Sequence, residues 1–320
     1  MEDGPLRPVG GLSVRPPAGV ELRPAARDDL PVVRQLLAER GGPVPDGDDP
    51  RVPDRWNAHL ASIDASPFLA LADGAPAGLL LLAFRRRLNF ATWEAWVPEL
   101  VVAESFRQRG IGRALLRVAI EEWRLRGAHR LSVDLGPGEA AGQTLLTKMG
   151  FEETFLRFRA EPIAPRGRPA PTDVVLRGVE PDDFEAVTRL VAEMGPRHSP
   201  VPERMDAVRR TFRELATRPI DLSRLALRGA TPVGVCTSEL RASLRRDAPE
   251  LWIPELVVTE PMRGAGIGAA LLDTVLAAGA AAGAGSAVLE TGPRRESAHR
   301  LYAAAGFAEA GHVFTLLRER

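Results

Sequence analysis

A single cysteine, a single tyrosine and a single lysine stand among 320 residues. With Cys236 alone, an internal disulfide framework and a thiolate zinc cluster are both excluded, and a reducing cytoplasm is the compatible compartment. The five histidines, His59, His129, His198, His299 and His312, form no HExxH and no pair at helical spacing, so no metal site is expected. Charge of one sign is lacking too. Forty-two basic residues balance 42 acidic ones, which leaves no global field to favour nucleic acid or an anionic membrane. The basic side is arginine apart from Lys148, the bias of a GC-rich genome rather than a device for polyanions. Glu2, Asp3, Pro5, Pro8, Pro16 and Pro17 deny the start the cationic and apolar regions of a signal peptide. The longest apolar stretch, Ile267 to Ala282, is alanine-rich, contains Asp273 and is too short and too weakly hydrophobic to span a bilayer. These absences leave a cytoplasmic monomer or homodimer whose partner is a small molecule.

What is present is a repeat. WVPELVVAESFRQRGIGRALL at Trp96 to Leu116 matches WIPELVVTEPMRGAGIGAALL at Trp252 to Leu272, an offset of 156 residues. The same offset pairs Gly78 with Gly234 and Gly150-Phe151 with Gly306-Phe307. Farther upstream, GVELRPAARDDL at Gly19 resembles DVVLRGVEPDDF at Asp173 at an offset shorter by two. A unit this long signals domain duplication, since solenoid units run about 20 to 50 residues. Between the copies lies AEPIAPRGRPAPT, where four prolines withhold donors and favour extended chain. The division that follows is a flexible tail over 1–18, a first domain over 19–160, a linker over 161–172 and a second domain over 173–320.

Each copy reads strand, helix, helix, two or three strands, long helix, strand, short helix, final strand, an α/β class with a mixed sheet covered by helices. Asp28-Asp29 and Asp182-Asp183 mark the first helix starts, where acidic side chains accept orphan N–H groups. Apolar Leu30, Val33, Leu36 and Leu37, like Phe184, Val187, Leu190 and Val191, then give each of those helices one buried face.

Both copies send an apolar strand ending in Val101-Val102 or Leu256-Val257-Val258 into Arg-x-x-Gly-Ile-Gly. These turns are Arg107, Gln108, Arg109, Gly110, Ile111 and Gly112 in the first copy, and Arg263, Gly264, Ala265, Gly266, Ile267 and Gly268 in the second. Glycine takes positive φ and admits close approach, while the helix that follows aims unpaired N–H groups and partial positive charge outward. That combination suits a pyrophosphate. Arg107, Arg109 and Arg263 are placed to add charge-assisted hydrogen bonds. A dinucleotide fingerprint is the rival, because Gly264 to Ala269 contains Gly-x-Gly-x-x-Ala with Glu290 at the end of the next strand as a ribose acid. Gln108 in the first glycine position, and a motif in mid-domain rather than at the first turn, argue against it.

On FRQRGIGRALL at Phe106, MRGAGIGAALL at Met262 and LYAAAGF at Leu301, with the element order agreeing in both halves, the chain resembles the GNAT superfamily of acyl-CoA-dependent N-acyltransferases. The resemblance covers roughly Val20 to Arg159 and Asp173 to Arg320. It implies a GNAT-type fold twice in tandem, acetyl-CoA wrapped by the two glycine turns, and main chain at Val101-Val102 and Leu256 to Val258 paired with the pantetheine arm. It also implies N-acetyl transfer to a small-molecule amine.

The copies diverge where that chemistry falls. Tyr302 matches the tyrosine that in many members protonates the departing thiolate, whereas the first copy has Leu146 there, so the C-terminal domain is the stronger candidate for catalysis. A phenol of pKa about 10 is a weaker acid than a thiol near 8.5, so donation needs a favourable environment, and a half-buried helix residue is the other reading. The acceptor amine, with a lysine-like pKa of about 10.4, is neutral in about one molecule in a few thousand at pH 7, an obstacle of roughly 4.6 kcal/mol that a base would lessen. Glu255, with Glu99 as its counterpart, is the best candidate. Many members carry an acid at this position or one residue earlier, where Pro254 stands, and a structural glutamate that orients neighbouring main chain or pairs with an arginine is the equal alternative. Trp96 and Trp252 read as core or cleft walls, and Cys236 as a small hydrophobe. A non-catalytic acyl-CoA sensor or scaffold is the second functional reading. The segments over 40–60 and 195–218 are expected to line the acceptor cleft. GGPVPDGDDP at Gly41 is either a mobile rim or an inert insertion.

Overall fold

A computed structural model describes residues 14–45, 49–195, 202–219 and 221–318. Most of the tail, His198 and parts of both presumed cleft segments, including 46–48 of the proline-rich stretch, lie outside the described residues. The first copy runs β1 (Val20–Pro24), α1 (Leu30–Arg40), α2 (Arg51–Ala61), β2 (Phe68–Ala72), β3 (Ala75–Arg85), β4 (Glu94–Val102), α3 (Ile111–Leu125), β5 (Arg130–Leu135), α4 (Ala140–Lys148) and β6 (Glu152–Ala160). The second repeats the order as β7 (Val174–Gly178), α5 (Phe184–Ala192), α6 (Met205–Ala216), β8 (Arg224–Arg228), β9 (Thr231–Arg241), β10 (Glu250–Val258), α7 (Ile267–Ala281), β11 (Ser286–Thr291), α8 (Glu296–Ala304) and β12 (Ala308–Leu317). No helix among the described residues is long and apolar enough to cross a membrane.

The paired acids at the first helix starts act backward as well as forward. Asp29 accepts from the Ala26 amide at 2.6 Å and takes both ends of the Arg23 fork, and Asp183 does the same with Glu180 and Arg177. Each aspartate therefore fixes the angle between the first strand and the first helix, a geometric role beyond dipole compensation.

All twelve strands join in one sheet, in the order β1-β2-β3-β4-β5-β12-β6-β11-β10-β9-β8-β7. The copies exchange their last strands. β12 pairs antiparallel with β5, placing Phe314 opposite Val133, while β6 pairs antiparallel with β11, placing Phe158 opposite Leu289. β6 and β12 then pair with each other at the centre. The sequence copies are thus not identical with the spatial halves, because each half is completed by a strand from the other copy. Joining the halves through main-chain bonds puts β1 and β7 at the two ends of the sheet and leaves no outer edge at the junction, which limits unwanted strand pairing.

Alternation along the strands sorts side chains to two faces. Leu80, Leu82 and Phe84 of β3 join the core under α3 and α4, while Leu79 and Leu81 pack under α1 and α2. In the second half, Cys236, Leu251 and Ile253 lie under α7 and α8, and Leu225, Val235 and Val257 lie under α5 and α6.

Candidate functional site

Each glycine turn follows from how its strand must become a helix. β4 ends at Val102 and α3 begins at Ile111, and Gly110, the residue before the helix, has φ 81°. Gly266 before α7 has φ 85°. That left-handed conformation is costly for a side-chain-bearing residue and free for glycine. The first helical hydrogen bonds are Ala114 N to Gly110 O and Ala270 N to Gly266 O, both 3.1 Å. Helix geometry therefore leaves the preceding amides, at Ile267, Gly268 and Ala269 in the second half, without intrahelical acceptors, and no side chain caps them.

The two turns differ in strain and access. Gln108 holds φ 63° where Gly264 holds 80°, so the first turn places a side chain in a region that suits glycine. A Cβ on Gly264 or Gly266 would meet nothing within 4 Å, whereas one on Gly110 would meet Pro17 Cγ at 3.5 Å. The arginines face inward in part. Arg263 Nε donates to Val258 O at 3.0 Å and Arg107 Nε to Val102 O at 3.4 Å, each fastening the turn to its strand. Arg109 lies over the Phe106 ring at 5.3 Å. Ala265 stands between the two positive-φ glycines of the second turn.

Beside each turn the sheet parts. β4 pairs with β5 only over Glu94–Val97, and β10 with β11 only over Glu250–Ile253. The register with β3 and β9 shifts at the same places, Pro98 and Pro254, because proline brings no N–H to a ladder. Val101-Val102 and Leu256 to Val258 remain bonded to β3 and β9 but, among the described residues, have no strand on the β5 or β11 side. An extended amide-bearing arm fits such an edge as an added strand.

Tyr302 on α8 is 8% exposed and shares a core cluster with Cys236, Leu256 and Val258. Phe158 and Phe307 flank its ring, each at 6.1 Å between centroids. Phe158 belongs to the exchanged β6, so the first copy helps to wall this residue. Burial is the main cause that pushes the phenol up to about 12. Leu146 fills the equivalent place on α4 and is 1% exposed. Cys236 is fully buried, and burial raises its thiol, a setting that keeps it an inert hydrophobe.

Glu255 lies away from free solvent and is fully engaged. Its Oε1 accepts from Arg87 Nη1 at 2.9 Å, and its Oε2 accepts from the Thr237 hydroxyl. Glu99 is clamped by Arg40 and by Arg245, whose Nε and Nη2 lie 2.5 and 2.8 Å from its two oxygens. Arg87 comes from the β3–β4 loop and Arg245 from the β9–β10 loop, so each copy grips the other's glutamate. These contacts favour the structural reading of Glu255 over that of an amine base. Sequence reasoning missed both arginines, and their only signal was an arginine run after each long strand, Arg85 to Arg87 and Arg245-Arg246.

A charged seam fills the centre between the halves. Glu94 accepts from Arg130, Ser132 and Arg87 at 2.7, 2.7 and 3.0 Å. Burial alone would raise this carboxyl, but Arg130, Arg85 and Arg87 outweigh it and hold it well below the usual range. Glu290, whose side chain is 10% exposed, is paired with Arg85 at 2.5 Å, so it faces the seam rather than a ribose. Above this network, on the face carrying α1, α2, α5 and α6, opens a cavity of about 430 Å³ that reaches Pro98 and Glu99 of the first half and Trp252 and Val288 to Glu290 of the second. Trp96 and Trp252 are its walls, with Arg85 over both rings at 5.1 and 4.5 Å.

Comparison with known proteins matches both halves to one family. The model of the acetyltransferase (GNAT) family matches residues 31–151 and again 186–307. Over 138 residues, 43% of this chain and 88% of the relative, the chain is 32% identical to an aminoalkylphosphonate N-acetyltransferase of Salmonella typhimurium. Among solved structures, a GCN5-related N-acetyltransferase from Sphaerobacter thermophilus superposes with a TM-score of 0.65 at 21% identity, covering 94% of this chain and 96% of that one. A tandem GNAT protein from the clavulanic acid biosynthesis pathway gives 0.55 at 20% identity, covering 94% and 99%. Both structures share the fold across both halves.

Proposed function

The chain belongs to the acetyltransferase (GNAT) family, and from that premise we propose that it transfers the acetyl group of acetyl-CoA directly to a primary amine of a small molecule, with the reacting cofactor held by the C-terminal half. Acetyl-CoA would supply a thioester as the activated acyl group. The residues present fit it: the amides of Ile267, Gly268 and Ala269 for the pyrophosphate, Gly264 to Gly266 for close approach, and the unpaired edge of Leu256 to Val258 for the pantetheine arm.

Tyr302 carries the reading. Its helix brings the only tyrosine of the chain into one cluster with Leu256 and Val258, beside the turn that is open. With acetyl-CoA bound, the Tyr302 hydroxyl would donate a hydrogen bond to the sulfur as the amine nitrogen bonds to the acyl carbon and the C–S bond breaks. A phenol near 12 facing a thiol near 8.5 makes complete transfer uphill by roughly 5 kcal/mol. The hydroxyl would therefore act as a hydrogen-bond donor that keeps its proton while coenzyme A departs as the thiolate, and the proton lost by the amine passes to water. A backbone N–H near Val258 polarises the acyl oxygen. Glu255 supports the site through Arg87 and Thr237 and keeps β10 in its parted geometry.

In the first half, Leu146 and the strained, partly covered turn at Gln108 and Gly110 support a binding or shaping role without chemistry. The alternative of a non-catalytic acyl-CoA-binding sensor or scaffold extends that role to both halves. Thiol release from acetyl-CoA across a panel of amines separates the two: turnover on any primary amine supports the enzyme, and tight cofactor binding without turnover supports the sensor.

A further inference from the structure

We infer that the seam cavity binds the acceptor by an anionic group, a carboxylate or phosphonate, held on the Arg241 guanidinium against Trp252. This rests on the transferase reading and names the substrate class of that same site. The observation behind it is an imbalance of donors and acceptors. Around the cavity, Arg157 bonds Asp134 at 2.8 Å, Arg159 bonds Glu250 at 2.6 Å, Arg218 bonds Glu239 at 3.0 Å, and Arg85 and Arg245 hold Glu290 and Glu99. Arg241 is the exception. Its Nε reaches only to 3.6 Å from Glu239, while Nη1 and Nη2 are both buried with no hydrogen-bond partner among the described residues.

The guanidinium carbon lies over the Trp252 ring, 3.3 Å from its centroid, and 5.4 Å from the centroid of Trp96. The Trp252 indole Nε1 is a further buried donor without a partner. Among the described residues Arg241 Nη1 and Nη2, Trp252 Nε1 and Trp96 Nε1 are thus all unmet at the cavity wall, and buried donors are as a rule satisfied. Two oxygens of one planar or tetrahedral anion match the fork, which is the bidentate geometry arginine recognises. Burial, with Arg85 nearby, lowers Arg241 to about 9, an unfavourable charge that an anion would relieve. A volume of about 430 Å³ suits a small molecule. The acceptor's amine would then extend toward the place where β10 parts from β11, since Trp252 and Val288 to Glu290 border the same cavity.

Matched amines test it: an ω-amino acid, the aminoalkylphosphonate of equal length, the corresponding neutral amide and a diamine, each assayed by thiol release at saturating acetyl-CoA. The full chain is expected to show kcat/KM at least about 30-fold higher for one or both anionic amines than for the amide, with the ratio of the two anions identifying the source. Arg241→Gln should reduce that preference to within about threefold, mainly through KM, and leave acetyl-CoA affinity within twofold. Arg241→Lys keeps the charge but not the fork and should fall between, which guards against a glutamine variant that fails to fold. Equal rates on neutral and anionic amines, or a preference that survives in Arg241→Lys unchanged, would overturn the inference while leaving the transferase reading intact. If no amine turns over, the transferase reading fails, and calorimetric titration with the two anionic amines still decides the site: binding lost in the Arg241 variants upholds it, and no binding to the unmodified chain refutes it.

Discussion

Arg87 of the first copy donates a 2.9 Å hydrogen bond to Glu255 of the second, across 168 residues of sequence, with both side chains buried. A buried pair of this kind is weak evidence for net stabilisation, but removal of one partner strands a charge, which typically costs about 3 to 5 kcal/mol.

Glu255→Ala should accordingly lower stability by roughly that amount, read from chemical denaturation, with Glu255→Gln milder because it still accepts from Thr237. In the glutamine variant the shape of the pH–rate curve should match the parent. Loss of an acidic limb in that variant, with folding intact, would instead return Glu255 to the role of amine base.

Tyr302→Phe removes one donor and little volume. Turnover is expected to fall about 10- to 100-fold, with acetyl-CoA affinity within twofold, as measured by steady-state kinetics and calorimetry. Because burial pushes the phenol up to about 12, the hydroxyl stays protonated throughout the neutral and mildly alkaline range. Activity of the parent should therefore show no loss between pH 8 and 10 that the phenylalanine variant lacks.

Gly266→Val puts a β-branched residue at φ 85° and a methyl pair over the α7 amides. A rise of at least tenfold in acetyl-CoA Kd is expected. Gly110→Val should change affinity less than threefold if the second half holds the reacting cofactor. Equal losses at both positions would show two working cradles.

Three buried groups set part of the pH dependence of stability. Burial lowers His59 and His129 to about 4 each, so the unfolded chain, titrating near 6.5, takes up protons first. Stability from both is present above pH 6.5 and is lost as pH falls toward 4. Asp221, which burial raises to about 6, works in the opposite sense: its contribution is lost as pH rises from about 4 to 6. Between pH 7 and 4.5 the three together should remove roughly 3 kcal/mol, seen as a lower urea midpoint. His129→Phe, which keeps the 4.3 Å stacking partner on Phe90, should flatten that dependence.

How far the sequence carried depended on whether a feature is written locally. The long helix after each glycine turn, the acid pairs at the first helices and the strands before Gly110 and Gly266 all sit within one short window, where periodicity and turn chemistry act. The exchange of β6 and β12 is written nowhere of that kind. Antiparallel pairing is made by main chain, and Phe158 and Phe314 satisfy an apolar face equally well beside either copy's strand. The clamps on Glu99 and Glu255 were hidden for a related reason, since Arg245 and Arg87 come from the other copy and only the folded seam brings them near. Tyr302 was legible as a difference between copies, whereas its wall, Phe158, depended on the exchange.

A crystal structure of the chain with coenzyme A is the decisive measurement. The pyrophosphate is expected on the amides that open α7, the pantetheine along Leu256 to Val258, and the sulfur within hydrogen-bond distance of the Tyr302 hydroxyl. Coenzyme A bound only at the Gly110 turn, or with its sulfur turned away from Tyr302, would contradict that placement.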